Sequence, residues 1–171
     1  MIVLLGYMGV GKSSVAQHLA TKMDYEYIDL DDYIEQKENK SIKTIFNQKG
    51  EIYFRKIEHQ CLKELLTSKA FDIIALGGGT PCYANNMEMV NAKEHQSFYL
   101  KMDLVSLTNR LFKIKENRPL ISHLSTLEDL MDFVRKHLFE RQFYYQQAKH
   151  SIDVSALSVE EVVDKIQYYL K

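Results

Sequence analysis

The 171-residue sequence has little of what marks a specialised chain. It has 7 glycines and 2 prolines, too few for a collagen-like or low-complexity chain. With 46% hydrophobic and 26% charged residues it is not a disordered tail. Its two cysteines, Cys61 and Cys82, lack Cys-x-x-Cys spacing, so free thiols in a reducing cytoplasm are expected rather than a disulfide or half a zinc site. The six histidines (His18, His59, His95, His123, His137 and His150) share no ligand spacing. In Glu58-His59-Gln60-Cys61 neighbouring donors on a helix point in different directions, which argues against a metal there. There is no surplus of either charge: 22 Lys+Arg against 23 Asp+Glu give −1. That excludes a general nucleic-acid binder and assigns Phe143, Tyr144 and Tyr145 to packing. No apolar run approaches the roughly 18 residues of a membrane span. The opening MIVLLG runs into a glycine loop, leaving no room for a signal peptide. The expectation is one soluble, cytoplasmic domain with one core, within the usual range of about 100–200 residues.

What is present is an alternation of short apolar runs and helical spacing. Strands are predicted at Met1 to Leu5, Tyr25 to Ile28, Phe71 to Leu76, Ser97 to Met102 and Ser151 to Val154. Val15, Leu19 and Met23 recur at helical spacing after the first strand, and helical stretches follow at Asp32–Glu38 and from about Glu51 to Leu66. A shorter turn starts at Ser41 between them, and Leu104 to about Lys113 is a further helix. Ser125-Thr126-Leu127-Glu128 reads as a capping box opening a helix with Leu127, Leu130, Met131, Val134 and Leu138 on one face. A second box, Ser158 to Glu161, opens a closing helix that buries Val159, Val162, Val163, Ile166, Tyr169 and Leu170. Strands alternating with helices predict an α/β domain, three layers around a mostly parallel five-stranded sheet.

Gly6-Tyr7-Met8-Gly9-Val10-Gly11-Lys12-Ser13 matches the phosphate-loop pattern G-x-x-x-x-G-K-[ST] at every fixed position, between a strand and an amphipathic helix. The glycines let successive N–H groups point at one anion, and the helix N-terminus adds its dipole. Lys12 then reaches the β and γ phosphates, and the Ser13 hydroxyl is a Mg²⁺ ligand. Tyr7 and Met8 are not motif positions.

Two absences narrow the nucleotide chemistry. The strand Phe71–Leu76 ends in Gly77-Gly78-Gly79, not in the Asp with which many phosphate-loop ATPases hold Mg²⁺, and no Asn/Thr-Lys-x-Asp run reads guanine. The strand Tyr25–Ile28 instead leads into Asp29-Leu30-Asp31. Two apart on a strand, both carboxylates would face one cleft at the strand's carboxyl end. One could orient Mg²⁺ while the other accepts a hydrogen bond from a hydroxyl; the pair equally fits acids that start a helix.

GYMGVGKSS, YIDLDDYIE, IFNQKGEIYFRKIE, ALGGG, Arg118-Pro119-Leu120 and ERQFYY together resemble shikimate kinase, in order and over nearly the whole chain. The resemblance implies a fold like that of the nucleoside-monophosphate kinases and transfer of the γ-phosphoryl of ATP to the 3-hydroxyl of shikimate, with Mg²⁺. It implies that Gly9, Val10, Gly11, Lys12, Ser13 and Ser14 hold the nucleotide phosphates, and that Ser13 and Asp29 support the metal. Asp31 would hydrogen-bond the accepting hydroxyls as the candidate base, with Lys12 and Arg118 also catalytic. Arg55 and Arg141 would hold the shikimate carboxylate, and Gly77, Gly78 and Gly79 would lie against the ring. Arg118 would reach ATP from a lid, and Arg110 would lie against adenine. The implied division is a nucleotide core at about 1–30, 71–112 and 148–171, an acceptor segment at about 31–63 and a mobile lid at about 113–124, acting as a monomer on ATP and shikimate.

The residue chemistry agrees. A guanidinium pairs with a carboxylate through two parallel hydrogen bonds, which lysine cannot reproduce. Arg141 follows Leu138 on its helix face and needs an anionic partner, and Glu58, one helical neighbour from Arg55, is placed to hold that arginine. Taken without the resemblance, ordinary salt bridges are the favoured reading of both arginines, because arginines are common and mostly solvated. A kinase of another small hydroxylated acid, such as gluconate, and a non-catalytic ATP-binding regulatory module are the alternatives.

Overall fold

The structure is a computed structural model that describes residues 1–118 and 120–171. Five parallel strands, β1 (Ile2–Leu5), β2 (Tyr27–Asp29), β3 (Ile73–Ala75), β4 (Gln96–Lys101) and β5 (His150–Asp153), form one sheet in the order β2-β3-β1-β4-β5. All four residues of β1 are buried, so the central strand is covered on both faces, as continuous apolar runs in parallel sheets require. The chain fills one side of β1 with β2 and β3, then crosses to the other for β4 and β5. That reversal opens a crevice at the carboxyl end of β1, the usual ligand position in such sheets.

The helices are α1 (Lys12–Met23), α2 (Leu30–Glu38), α3 (Ile42–Ser68), α4 (Asn86–Val90), α5 (Leu104–Ile114), α6 (Leu127–Tyr145) and α7 (Val159–Tyr169). Helix α1 packs on α7, α2 on α3, and α5 on α6. Side-chain caps at Asp29, Ser41, Asp103, Thr126 and Ser158 accept from backbone N–H groups one turn in, each worth about 1 kcal/mol. No described helix is long and apolar enough to cross a membrane.

Several predicted boundaries shift. The strands at Tyr25–Ile28 and Phe71–Leu76 are shorter, as Tyr27–Asp29 and Ile73–Ala75. Leu30 is already helical, so Asp29 and Asp31 do not share a strand face: Asp29 caps α2 and Asp31 lies in its first turn. The stretches from Ser41 and Glu51 remain two helical segments within Ile42–Ser68, separated, as expected, at a non-helical Gly50 (φ 77°), a conformation suited to glycine. The cap of α6 is Thr126 with Asp129, one residue beyond the predicted Ser125–Glu128 box, because the Thr126 hydroxyl accepts the Asp129 N–H. On α6 Leu130 and Val134 are buried while Leu127 is exposed, and on α7 Val162, Val163 and Ile166 are buried while Tyr169 is exposed. The Ser158–Glu161 box forms as expected. The polar pattern at 113–123 hides an anchor: α5 continues to Ile114, a 3₁₀ turn spans Lys115–Asn117, and Ile121 is fully buried. Pro119 of the predicted lid lies outside the described residues. A 3₁₀ turn at Thr80–Cys82 and helix α4, neither expected, follow the triple glycine.

Candidate active site

The phosphate loop joins β1 to α1, with Gly11 as the N-cap of α1 in a left-handed conformation. Lys12, buried at the first helical position, donates from Nζ to the carbonyls of Gly6 (2.9 Å) and Tyr7 (3.1 Å). Burial pulls its pKa down to about 8, although Asp29 and Asp31 nearby favour its charge. The Ser13 hydroxyl donates to Asp29 Oδ2 at 2.6 Å, and Asp29 Oδ1 accepts the Asp31 N–H at 3.0 Å. Asp29 therefore ties the start of α1 to the start of α2. Burial, with Asp29 and Glu58 adding like charge, pushes the Asp31 carboxyl up to about 7.

These groups line one cleft of about 410 Å³. Gly9, Gly11, Lys12, Ser13 and Ser14 form its floor, and Asp29, Asp31, Gly77 and Gly78 one wall. Arg110 and Arg118 complete it, with the Arg110 guanidinium close over Gly11. Val10 is buried and does not line this cleft; it lines a separate small cavity with Val15 and Val162. Arg55, Gly79 and Arg141 are not among the residues lining this cleft.

The triple glycine connects the two groups of residues. A Cβ on Gly77 would stand 2.9 Å from Asp31 Oδ1, and one on Gly79 would stand 2.9 Å from Arg55 Nη2, so a side chain at either position would have to displace that group. Glu58, only 1% exposed, accepts from Arg55 Nη1 at 2.8 Å and from the buried Thr80 hydroxyl at 2.7 Å. Burial disfavours the Arg55 charge, but Glu58 overrides it and the arginine's pKa is raised. The predicted Arg55–Glu58 contact is thus present. Arg141 lies over the Tyr7 ring, 5.7 Å from its centroid, and the Tyr7 hydroxyl is hydrogen-bonded to His137 Nδ1 at 3.2 Å. Burial pushes the Tyr7 phenol up to about 12 against the pull of Arg141. Both Arg141 and Arg55 act electrostatically on Cys82, whose thiol burial nevertheless drives up to about 11. Both arginines therefore lie within electrostatic range of Cys82.

For a metal, the donor set at the mouth of the loop is one hydroxyl and one carboxylate, Ser13 and Asp29. Among the described residues no three His, Cys, Asp or Glu side chains converge on an ion. This set fits Mg²⁺, a hard ion that takes one or two carboxylates and completes its shell from phosphates and water.

A match to the family model described as "Shikimate kinase" extends over residues 8–171. The chain belongs to the shikimate kinase family. It is 49% identical over 165 residues to a shikimate kinase of Flavobacterium johnsoniae, covering 96% of this chain and 95% of that one. It is 40% identical to one of Flavobacterium psychrophilum, covering 99% and 98%. The crystal structure of shikimate kinase from Bacteroides thetaiotaomicron superposes with a TM-score of 0.88 at 32% identity, over 99% of this chain and 97% of that one. That of Acinetobacter baumannii in complex with shikimate gives 0.85 at 32% identity, over 99% and 91%. The family fold is thus present from end to end.

Four residues around this candidate site are not legible as motif positions. Tyr7 supplies the surface under Arg141, Thr80 holds Glu58, Tyr83 stacks on Arg55, and Tyr145 donates from its hydroxyl to the Gly78 carbonyl. Only Tyr145 carried a signal: it lies one helical turn after Arg141, on the same face.

Proposed function

We propose that the chain is a shikimate kinase, transferring the γ-phosphoryl of ATP to the 3-hydroxyl of shikimate to give shikimate 3-phosphate and ADP. One observation carries this reading: the triple glycine abuts the Asp31 carboxylate at one end and the Arg55 guanidinium at the other, beside a phosphate loop. A small acid bearing hydroxyls can then meet a base and a carboxylate clamp together.

Phosphoryl transfer asks mainly for positioning and charge neutralisation. The loop N–H groups from Gly9 to Ser14 cradle the phosphates, and Lys12 and Arg118 offset charge at the γ-phosphoryl. Ser13 and Asp29 would hold Mg²⁺, which supplies charge neutralisation at the β and γ oxygens when bound. Asp31 accepts a hydrogen bond from the acceptor hydroxyl. As the hydroxyl oxygen bonds to the γ-phosphorus and the bond to the β-bridging oxygen breaks, Asp31 takes the proton. Its pKa near 7 suits a base working at neutral pH. Arg55 and Arg141 hold the acceptor's carboxylate, and Arg110 lies along the adenine. The segment at about 31–63 carries the acceptor, and the stretch at about 113–124 closes over the nucleotide to exclude water, the competing acceptor. We read the protein as a monomer acting on ATP and shikimate, and free thiols at Cys61 and Cys82 suit the cytoplasm.

The test is ADP release with shikimate, with gluconate and with no acceptor. Turnover only with shikimate is expected. Turnover with gluconate alone moves the assignment to that acid, and none with any acceptor leaves an ATP-binding module.

A further inference from the structure

Arg55 is held by more than its ion pair with Glu58. The Tyr83 ring lies against its guanidinium, 4.0 Å from ring centroid to Cζ. The Tyr83 hydroxyl donates to Glu51 Oε1 at 3.1 Å, and the same oxygen accepts from Arg55 Nε at 3.3 Å and Nη2 at 3.4 Å. The two carboxylates differ in kind. Glu58 is buried and short-bonded to Nη1, a permanent anchor, whereas the Glu51 side chain is 56% exposed and its contacts are long. The Nε/Nη2 edge, the one suited to a two-point grip on a carboxylate, is thus covered only by a weakly held and replaceable group. When an incoming carboxylate takes that edge, Glu51 keeps the Tyr83 hydroxyl as its partner.

The backbone supports this placement of Tyr83. Ala84 and Asn85, the next two residues, both have positive φ (50° and 54°), which non-glycine residues seldom adopt singly and more rarely in succession. This turn carries the chain from Tyr83 towards α4 while its side chain reaches α3. Strain of this kind persists where the surroundings over-determine it, and it clusters at ligand clamps.

We propose that Tyr83 is a positioning residue for acceptor binding: its ring is the platform for Arg55, and its hydroxyl receives Glu51 when a substrate carboxylate replaces it. The proposal rests on the shikimate-kinase reading, in which Arg55 grips that carboxylate. It assigns to Tyr83 an effect on acceptor affinity alone.

The experiment is steady-state kinetics of the full chain with Tyr83→Leu and Tyr83→Phe. Tyr83→Leu should raise the KM for shikimate about five- to tenfold, the scale of one lost cation–π contact, while kcat and the KM for ATP stay within about twofold. Tyr83→Phe keeps the platform and should hold the shikimate KM within about threefold of the parent. Should Tyr83→Leu fail to fold in a thermal melt, Tyr83→Met takes its place. An unchanged shikimate KM in the Leu or Met variant, an equal rise in the ATP KM, or a Phe variant as impaired as Leu would each overturn the proposal. The unaltered protein is assayed first. If it lacks shikimate-dependent ADP release, the functional reading itself fails; if it is active and Tyr83→Leu is silent, only the role of Tyr83 fails.

Discussion

Ser13 and Asp29 share a 2.6 Å hydrogen bond, and the same Asp29 carboxylate accepts the Asp31 N–H. One side chain thus links the proposed metal ligand Ser13 to the proposed base Asp31 and also caps a helix. Its roles separate on substitution. Asp29→Asn keeps a good cap, so the melting temperature should stay close to that of the parent. The lost charge should raise the Mg²⁺ concentration for half-maximal ADP release by about tenfold or more. A Mg²⁺ titration alongside a thermal melt measures both.

The Asp31 pKa near 7 sets a pH dependence with a definite sign. On the proposed reading the carboxylate is the working form of the base, so kcat/KM for the acceptor should fall about tenfold per unit below pH 7. Asp31→Asn should lower kcat by about 10² to 10⁴, with ATP affinity in a direct binding titration close to the parent's.

The same group bears on stability. Folded Asp31 holds its proton to about pH 7, whereas the unfolded chain releases it near the ordinary value of 3.8. Ionisation therefore destabilises the fold progressively as pH rises through that window. Removing the charge should make Asp31→Asn melt several degrees above the parent at pH 8, by about 2–4 kcal/mol, with a smaller gap at pH 5.

The glycines separate into functional and structural ones. A Cβ on Gly79 meets the mobile end of Arg55, and Gly79 has an ordinary φ of −93°. Gly79→Ala should fold normally, within about 1 kcal/mol of the parent, yet weaken shikimate binding about tenfold or more by displacing the guanidinium. A Cβ on Gly6 meets the backbone oxygen of Leu100 at 2.5 Å with φ at +142°. Gly6→Ala should lose more than about 2 kcal/mol of stability. Chemical denaturation and acceptor titration distinguish the two.

Arg141→Lys keeps the charge and discards the planar fork. The shikimate KM should rise about tenfold and the ATP KM should stay within about twofold; paired saturation curves give both values.

Much of this arrangement was legible beforehand because it depends on local chemistry. The phosphate loop, the five strands, the Ser158–Glu161 cap and the Arg55–Glu58 pair follow from spacings of a few residues. The Asp29/Asp31 cleft was found through a wrong premise, a shared strand face, because the helix that Asp29 caps begins sooner than periodicity suggests. The parts played by Tyr7, Thr80 and Tyr83 are not legible in the sequence for another reason. Tyr7 meets Arg141 on α6, Thr80 meets Glu58 on α3, and Tyr83 meets Arg55 on α3, all contacts made by the tertiary fold. The buried Ile121 likewise sits in a stretch whose polar composition suggested only an open loop.

The triple glycine has one more consequence. Gly77 touches the carboxylate proposed to accept a proton and Gly79 the guanidinium proposed to grip an acid, while Tyr145 pins the Gly78 carbonyl between them. Two peptide units span at most about 7.6 Å, so covalent bond lengths fix the spacing of the two backbone points that the carboxylate and the guanidinium approach. The loop is in effect a gauge cut into the main chain. A rigid cyclic acid of matching span engages both ends without reorganising, whereas an open-chain acid such as gluconate must freeze several torsions to do so. On the proposed reading, discrimination against flexible acids would then be largely entropic.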